Sequence, residues 1–171
     1  MLNIFRYREE EPRAGGSPIP RPTLDVIVSQ GNHDLRVRCL VDTGSPGCVF
    51  NRAVAEALYV DMSPDSSEDR PLKVLGGRHT ARVSTATLEL PPFEGLHWTA
   101  EVLFLHEDLD LSFAGLLGNR GFLDRWVASF NFYDGYFIIE ERDAFVERLG
   151  VDPVEQVERF GPVDWERPTV D

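Results

Sequence analysis

A short apolar strand that runs into an aspartate-glycine turn constrains this chain more than any other feature. Val37 to Val41, with Arg38 and Cys39 inside the run, leads into Asp42-Thr43-Gly44-Ser45. The glycine lets the backbone turn sharply and leaves its amide uncovered by a side chain. The threonine and serine hydroxyls can orient such a turn through local hydrogen bonds. The expected result is a carboxylate held at the end of a strand, facing outward and supported by donors. The element occurs once, so any chemistry that needs two such carboxylates needs a second copy of the chain.

The other strands follow from alternation and turn residues. Leu24 to Ser29 alternates, Gly31 to Asp34 reads as a turn, and Leu35 to Val41 is the return strand. Cys48 to Phe50 is a short strand, and Asn51 can cap a short helix from Arg52 to Leu58. Ser63 to Arg70 is polar and reads as a loop. Leu72 to Leu75, Gly76-Gly77 and Ala81 to Leu90 form a long hairpin with a glycine tip, which Pro91-Pro92 ends. Trp98 to Leu105 is a further strand, Glu107 to Asp110 an acidic loop, and Phe113 to Leu117 an apolar strand that Gly118 breaks. Asn119 to Trp126 is expected to be helical. Val127 to Phe132 and Tyr136 to Ile139 make a hairpin across Asp134-Gly135, and Glu141 to Leu149 an amphipathic helix. Trp98, Phe104, Phe113 and Phe122 are core candidates. Residues 1–22 read as an extended or mobile arm, 23–140 as the folded domain, and 141–171 as a helix with an acidic, proline-containing tail.

Composition excludes several functions. The chain has 171 residues, enough for one domain with extra segments. Its net charge is −12, with 29 acidic against 17 basic residues, which repels phosphate backbones and anionic membranes. No nucleic acid and no membrane is expected among its partners. Two cysteines, Cys39 and Cys48, make no disulfide framework. Met1 to Arg13 lacks an apolar stretch of the secretory kind, and no run approaches transmembrane length, so the default location is the cytoplasm.

Three features stand in a fixed order: the strand with Asp42-Thr43-Gly44-Ser45, the hairpin tip at Gly76-Gly77, and Leu116-Leu117-Gly118 followed by Phe122-Leu123. In this the chain resembles the retropepsin-like family of aspartic peptidases, including its bacterial members, over roughly residues 23–140. The resemblance implies a mostly β, single-lobed closed barrel of the acid-protease type with one or two short helices. It implies a homodimer in which Asp42 of each chain forms a catalytic dyad. Thr43 would bond across the dimer axis, Gly44 would admit substrate and water, and Ser45 would support the loop. Gly76, Gly77 and Arg78 would form the tip of a flap, and Leu116, Leu117 and Gly118 would pack behind the aspartate loop. The chain departs from the family in carrying His79 just past the flap tip. It also carries Asn119-Arg120 after Gly118, where retroviral members often have Arg or Lys and then Asp or Asn.

The chemistry of such a dyad follows from electrostatics. Two carboxylates a few ångströms apart cannot both ionise cheaply, so they share a proton and titrate as a coupled pair. The ionised one takes a proton from water while the protonated one polarises the scissile carbonyl. No metal and no other cofactor is implied. A Ser45 hydroxyl donating to the Asp42 carboxylate would favour the charged form and shift activity toward acid.

Other readings use the same residues. An Asp-Thr-Gly turn is common loop chemistry, and the fold can serve as a catalytically silent peptide- or protein-binding module. The phosphate turn of actin-like ATPases also reads Asp-x-Gly-Ser, but that fold needs two lobes and a second phosphate loop. Cys48 is expected to be a buried structural thiol rather than a nucleophile. His33, His79, His97 and His106 lack metal-ligand spacing and are expected at the surface. Glu107, Asp108 and Asp110 lack a calcium-loop pattern and are expected to form a solvated turn.

Overall fold

The computed structural model describes residues 2–10, 17–64, 66–74, 77–91, 96–109 and 112–155. In chain order the strands begin with β1 (Leu2–Arg6), β2 (Arg8–Glu10), β3 (Ile19–Arg21), β4 (Thr23–Gln30), β5 (His33–Val41) and β6 (Cys48–Phe50). Helix α1 (Arg52–Ala57) precedes β7 (Asp69–Val74), β8 (Gly77–Glu89), β9 (His97–Leu105) and β10 (Gly115–Leu117). The chain continues through β11 (Val127–Asn131), β12 (Tyr136–Glu140) and α2 (Arg142–Leu149).

The main sheet runs β4-β5-β10-β6-β9-β8-β7, and β4 also pairs with β8. That second pairing closes β4, β5, β10, β6, β9 and β8 into a barrel, with β7 left as a flange on β8. Closure removes the exposed edges that an open sheet presents.

Alternate residues of the barrel strands enter two different apolar clusters, which explains why these strands read as near-continuous apolar runs. Cys39 and Val41, Cys48 and Phe50, Phe104, and Leu117 belong to the larger core. Their neighbours Leu40, Val49, Leu105 and Leu116 belong to a second cluster with Ala81 and Phe113. Both faces of these strands are therefore buried. The expected core residues Trp98, Phe104, Phe113 and Phe122 are all buried.

A second sheet, β1-β12-β11, packs beside the barrel. Phe5 stacks on Phe137 at 5.3 Å, and Phe137 and Ile139 are fully buried. The described start of the N-terminal segment, β1, pairs with β12. Its Phe5 and Tyr7 pack against the main core.

Several local expectations change. The β4–β5 turn holds only Gly31 and Asn32, because Gln30 already pairs with His33; Gly31 supplies the positive φ of +58°. The polar stretch before Leu72 is partly strand, since Asp69 opens β7 and lies opposite Arg82. Asn51 stands at the N-cap of α1, but its side chain makes no capping bond to the helix. It exchanges hydrogen bonds with the backbone of Leu109 instead, and Asp108 accepts from the Ala53 N–H at 2.9 Å. Asp108 thus ties the acidic turn to the helix and is not merely solvated.

The segment 119–126 is a series of turns, not a helix. Gly121 has φ +88°, and its carbonyl accepts from the Trp98 indole at 2.6 Å, so a regular helical ladder is interrupted there. Helix α2 buries none of its residues, so it lacks a core-facing stripe. It is held instead by Arg148, which grips the fully buried Glu140 through both carboxylate oxygens. The flap-tip residue Gly76 and the tail from residue 156 onward lie outside the described residues.

Candidate active site

Asp42 leaves the end of β5 just past its pairing with β10. Its N–H donates to the Leu117 carbonyl at 3.0 Å, while the Val41 N–H donates to Pro22 at 2.9 Å. The strand end is thus held from both sides. The chain then turns back: the Gly44 N–H donates to the Asp42 carboxylate at 2.9 Å, and the Ser45 N–H to the Asp42 carbonyl at 3.2 Å. Asp42 is half-buried, whereas Thr43 and Gly44 are exposed at the tip. The carboxylate therefore has one backbone donor and an open side.

Ser45 corrects an expectation. Its side chain is buried and its hydroxyl donates to the Gly47 carbonyl at 2.8 Å, within the loop itself. It braces the turn and supplies no hydrogen bond to the Asp42 carboxylate. The acid shift expected from such a bond loses its basis.

Behind the loop, the backbone of 117–120 forms a second wall. The Asn119 N–H donates to the Ser45 carbonyl at 2.9 Å, and the Arg120 N–H to the Pro46 carbonyl at 3.1 Å. Gly118 lies so close that a Cβ there would stand 2.3 Å from the Gly47 carbonyl oxygen and 2.6 Å from that of Ser45. Only glycine allows this approach. Leu116 and Leu117 are buried on opposite faces of β10 and register it between β5 and β6. The Asn119 side-chain amide reaches the Thr43 carbonyl at 3.2 Å. The sequence marks Asn119 as a departure and as the start of an expected helix, and its tie to the tip needs the fold to be seen.

The β7–β8 hairpin stands beside this loop. Gly77 and Arg78 open β8, paired with Val74 and Lys73. A pocket of about 370 Å³ lies between the two elements, lined by Pro46, Gly47 and Cys48 on one side and Arg70, Pro71 and Leu72 on the other. Glu101, Leu103 and Arg120 complete its lining.

The remaining titratable groups divide clearly. Cys48 is buried, and burial pushes its thiol up to about 12; Cys39 is driven well above the usual thiol value for the same reason. Both are free and neither is an activated nucleophile. His79 and His106 are not the plain surface residues expected: their side chains are only 13% and 22% exposed, and each meets a carboxylate. Arg82, which sequence reading passed over, is 4% exposed. It donates to Asp69 at 2.7 Å and to the carbonyls of Asp61 and Ser63. The Arg82 and His106 hydrogen bonds hold the Asp69 carboxyl down at about 2. No sequence pattern flags this cluster, because its members come from β7, β8 and the end of β9. Among the described residues, no group of three or more His, Cys, Asp or Glu side chains is placed to hold a metal ion. Among them, too, no helix is long and apolar enough to cross a membrane.

Comparison with known proteins agrees with this geometry. Residues 26–120 match the family described as Aspartyl protease. No curated protein sequence matches significantly. Among solved structures, a retropepsin-like aspartic protease from Rickettsia conorii matches with a TM-score of 0.55 at 18% identity. That match covers 81% of this chain and 98% of the other, and it establishes the retropepsin-like fold. The matched span takes in the aspartate loop, the hairpin and the glycine behind the loop, and the chain belongs to the aspartyl protease family.

Proposed function

We propose that this protein is an aspartic endopeptidase whose dyad forms from Asp42 of two identical chains. The observation that carries this reading is the exposed Thr43–Gly44 tip beside a half-buried Asp42, present once per chain. One carboxylate cannot be base and acid in the same step; two facing each other across a symmetry axis can. Thr43 bonds the two tips together, and Gly44 leaves room for peptide and water. Leu116, Leu117 and Gly118 keep each loop in place. The hairpin, with Gly76, Gly77 and Arg78 at its tip, covers an extended peptide. The ionised aspartate removes a proton from water, the water oxygen attacks the scissile carbonyl, and the protonated aspartate hydrogen-bonds the developing oxyanion. That proton balance returns when the leaving amine is protonated. No metal or cofactor takes part. The buried, free Cys39 and Cys48 suit a reducing compartment, which supports a cytoplasmic setting.

The test is cleavage of a peptide library from acid to neutral pH, read by mass spectrometry, for the wild type and Asp42→Asn, with sedimentation of both. Cleavage by a dimeric wild type and none by the folded variant is the expected result. A folded, dimeric wild type that cuts nothing would replace the peptidase with a peptide-binding module.

A further inference from the structure

We propose that the pocket between the aspartate loop and the β7–β8 hairpin takes a glutamate side chain of the peptide, and that Arg120 is the residue that selects it. The proposal rests on reading the loop and the hairpin as walls of a peptide groove.

The pocket has an apolar floor and a charged rim. Cys48 is buried beneath it, and Leu72 and Leu103 are half-buried. Side chains two apart on a strand share a face, so Arg70 stands beside Leu72 on β7 and Glu101 beside Leu103 on β9. All four line the pocket. Arg70, Glu101 and Arg120 are exposed, as are Pro46 and Pro71. A side chain that fits therefore has an apolar stem and a polar end.

Of the charges at the rim, that of Arg120 is uncompensated. Arg70 and Glu101 face each other from β7 and β9 at 3.8 Å, so each answers the other. Arg120 has no ion-pair partner among the described residues. Asp124, the carboxylate nearest to it in sequence, accepts instead from the Gly121 N–H at 3.0 Å. The pocket thus presents a net positive charge, in a chain whose net charge is −12. A basic side chain would find Glu101 already met by Arg70 and would be repelled by Arg120.

The fold fixes the backbone of Arg120 and leaves its side chain free. Its N–H donates to the Pro46 carbonyl at 3.1 Å, and it bridges to Gly47, so it is tied to two residues of the pocket wall. None of those bonds uses the guanidinium, which can turn toward a bound side chain. A planar guanidinium takes a carboxylate through a pair of parallel N–H···O bonds, and such charged bonds are about twice as strong as neutral ones. Glutamate supplies both parts of the fit. Its methylenes lie on Leu72 and Leu103 while its carboxylate stays at the rim with Arg120. Aspartate is shorter and covers less of the floor; glutamine has the length without the charge. Side chains of an extended peptide alternate in direction, so the residue that enters the pocket stands at a fixed distance from the scissile bond.

The test is a randomised peptide library cut by the wild type, Arg120→Gln and Arg120→Glu, with the cleavage sites read by mass spectrometry. Wild-type products should carry glutamate over glutamine about fivefold at one fixed distance from the cut, the upper end of what a partly exposed ion pair supplies. Arg120→Gln should abolish that preference, and Arg120→Glu should replace glutamate by lysine or arginine at the same position. Cleavage with no glutamate preference at any position, or the same preference in Arg120→Gln, overturns the proposal. A second measurement needs no turnover. The library is passed over immobilised Asp42→Asn and Asp42→Asn/Arg120→Gln, and the retained peptides are sequenced. Glutamate should be enriched on the first and not on the second. A library retained without that enrichment, or not retained at all, overturns the proposal. A folded wild type that cuts nothing, while Asp42→Asn still selects glutamate through Arg120, overturns the peptidase reading and supports the pocket assignment.

Discussion

A methyl group at position 118 has no space that the backbone does not already occupy. In Gly118→Ala the new Cβ meets the Gly47 carbonyl oxygen at 2.3 Å, the Ser45 carbonyl oxygen at 2.6 Å and the Gly47 carbonyl carbon at 2.8 Å. An ordinary carbon–oxygen contact needs about 3.3 Å, so the aspartate loop must retreat by about 1 Å. Both carbonyls are engaged, Ser45's by the Asn119 N–H and Gly47's by the Ser45 hydroxyl. Overpacking costs about 1–3 kcal/mol and each of the two strained hydrogen bonds about 1 kcal/mol more, so a total of about 4 kcal/mol is expected. For a chain this long that lowers Tm by roughly 8–16 °C. A displacement of that size at a reacting group costs about 100-fold in rate, so kcat/KM should fall by about that factor. Gly135→Ala is the control. It has nothing within 4 Å and a φ of +72°, so it bears only the left-handed backbone penalty of about 1–2 kcal/mol and leaves cleavage unchanged. Thermal unfolding and peptide cleavage of both variants decide the matter. A Gly118→Ala protein no less stable than Gly135→Ala, with wild-type activity, would refute the argument that the glycine is there for close approach.

Two further outcomes follow from the buried groups. Asp69 has a folded-state value near 2, below its usual 3.8, so it contributes stability that is fully present above pH 4 and lost as pH falls toward 2. Urea unfolding between pH 2 and 5 should show that loss in the wild type and a shallower one in Arg82→Met, which is also less stable at neutral pH because it strands the carboxylate; parallel profiles would contradict it. Cys39 and Cys48 should resist an aromatic disulfide reagent at pH 8 in the folded protein and both react in guanidinium, since only the thiolate attacks and burial suppresses it. Rapid labelling of either thiol in the native state would count against their burial.

The comparison of sequence with structure shows where pattern reading works. The β4–β5 and β11–β12 hairpins were legible because alternation and turn glycines act over a few neighbouring residues. The segment 119–126 was misread as a helix because its interruption depends on Trp98, a residue of β9 whose indole takes the Gly121 carbonyl. Asn51 does stand at the N-cap of α1, but its side chain makes no capping bond, because the backbone groups of Leu109, distant in sequence, engage it. The bond considered from the Ser45 hydroxyl to the Asp42 carboxylate is not made, because the Gly47 carbonyl two residues on takes that hydroxyl instead.

The order of the aspartate turn, the glycine-tipped hairpin and Leu116-Leu117-Gly118 was written in the chain, and with it the family. Those are properties of residue type and spacing, which local backbone preference and apolar patterning express directly. The tertiary structure decided the rest. It closed the barrel through β4 and β8, pressed Gly118 onto the carbonyls of Ser45 and Gly47, and joined Arg82, Asp69, His106, His79 and Glu107 around the hairpin base. Those contacts link residues far apart in sequence, and their geometry exists only once the strands that carry them have paired.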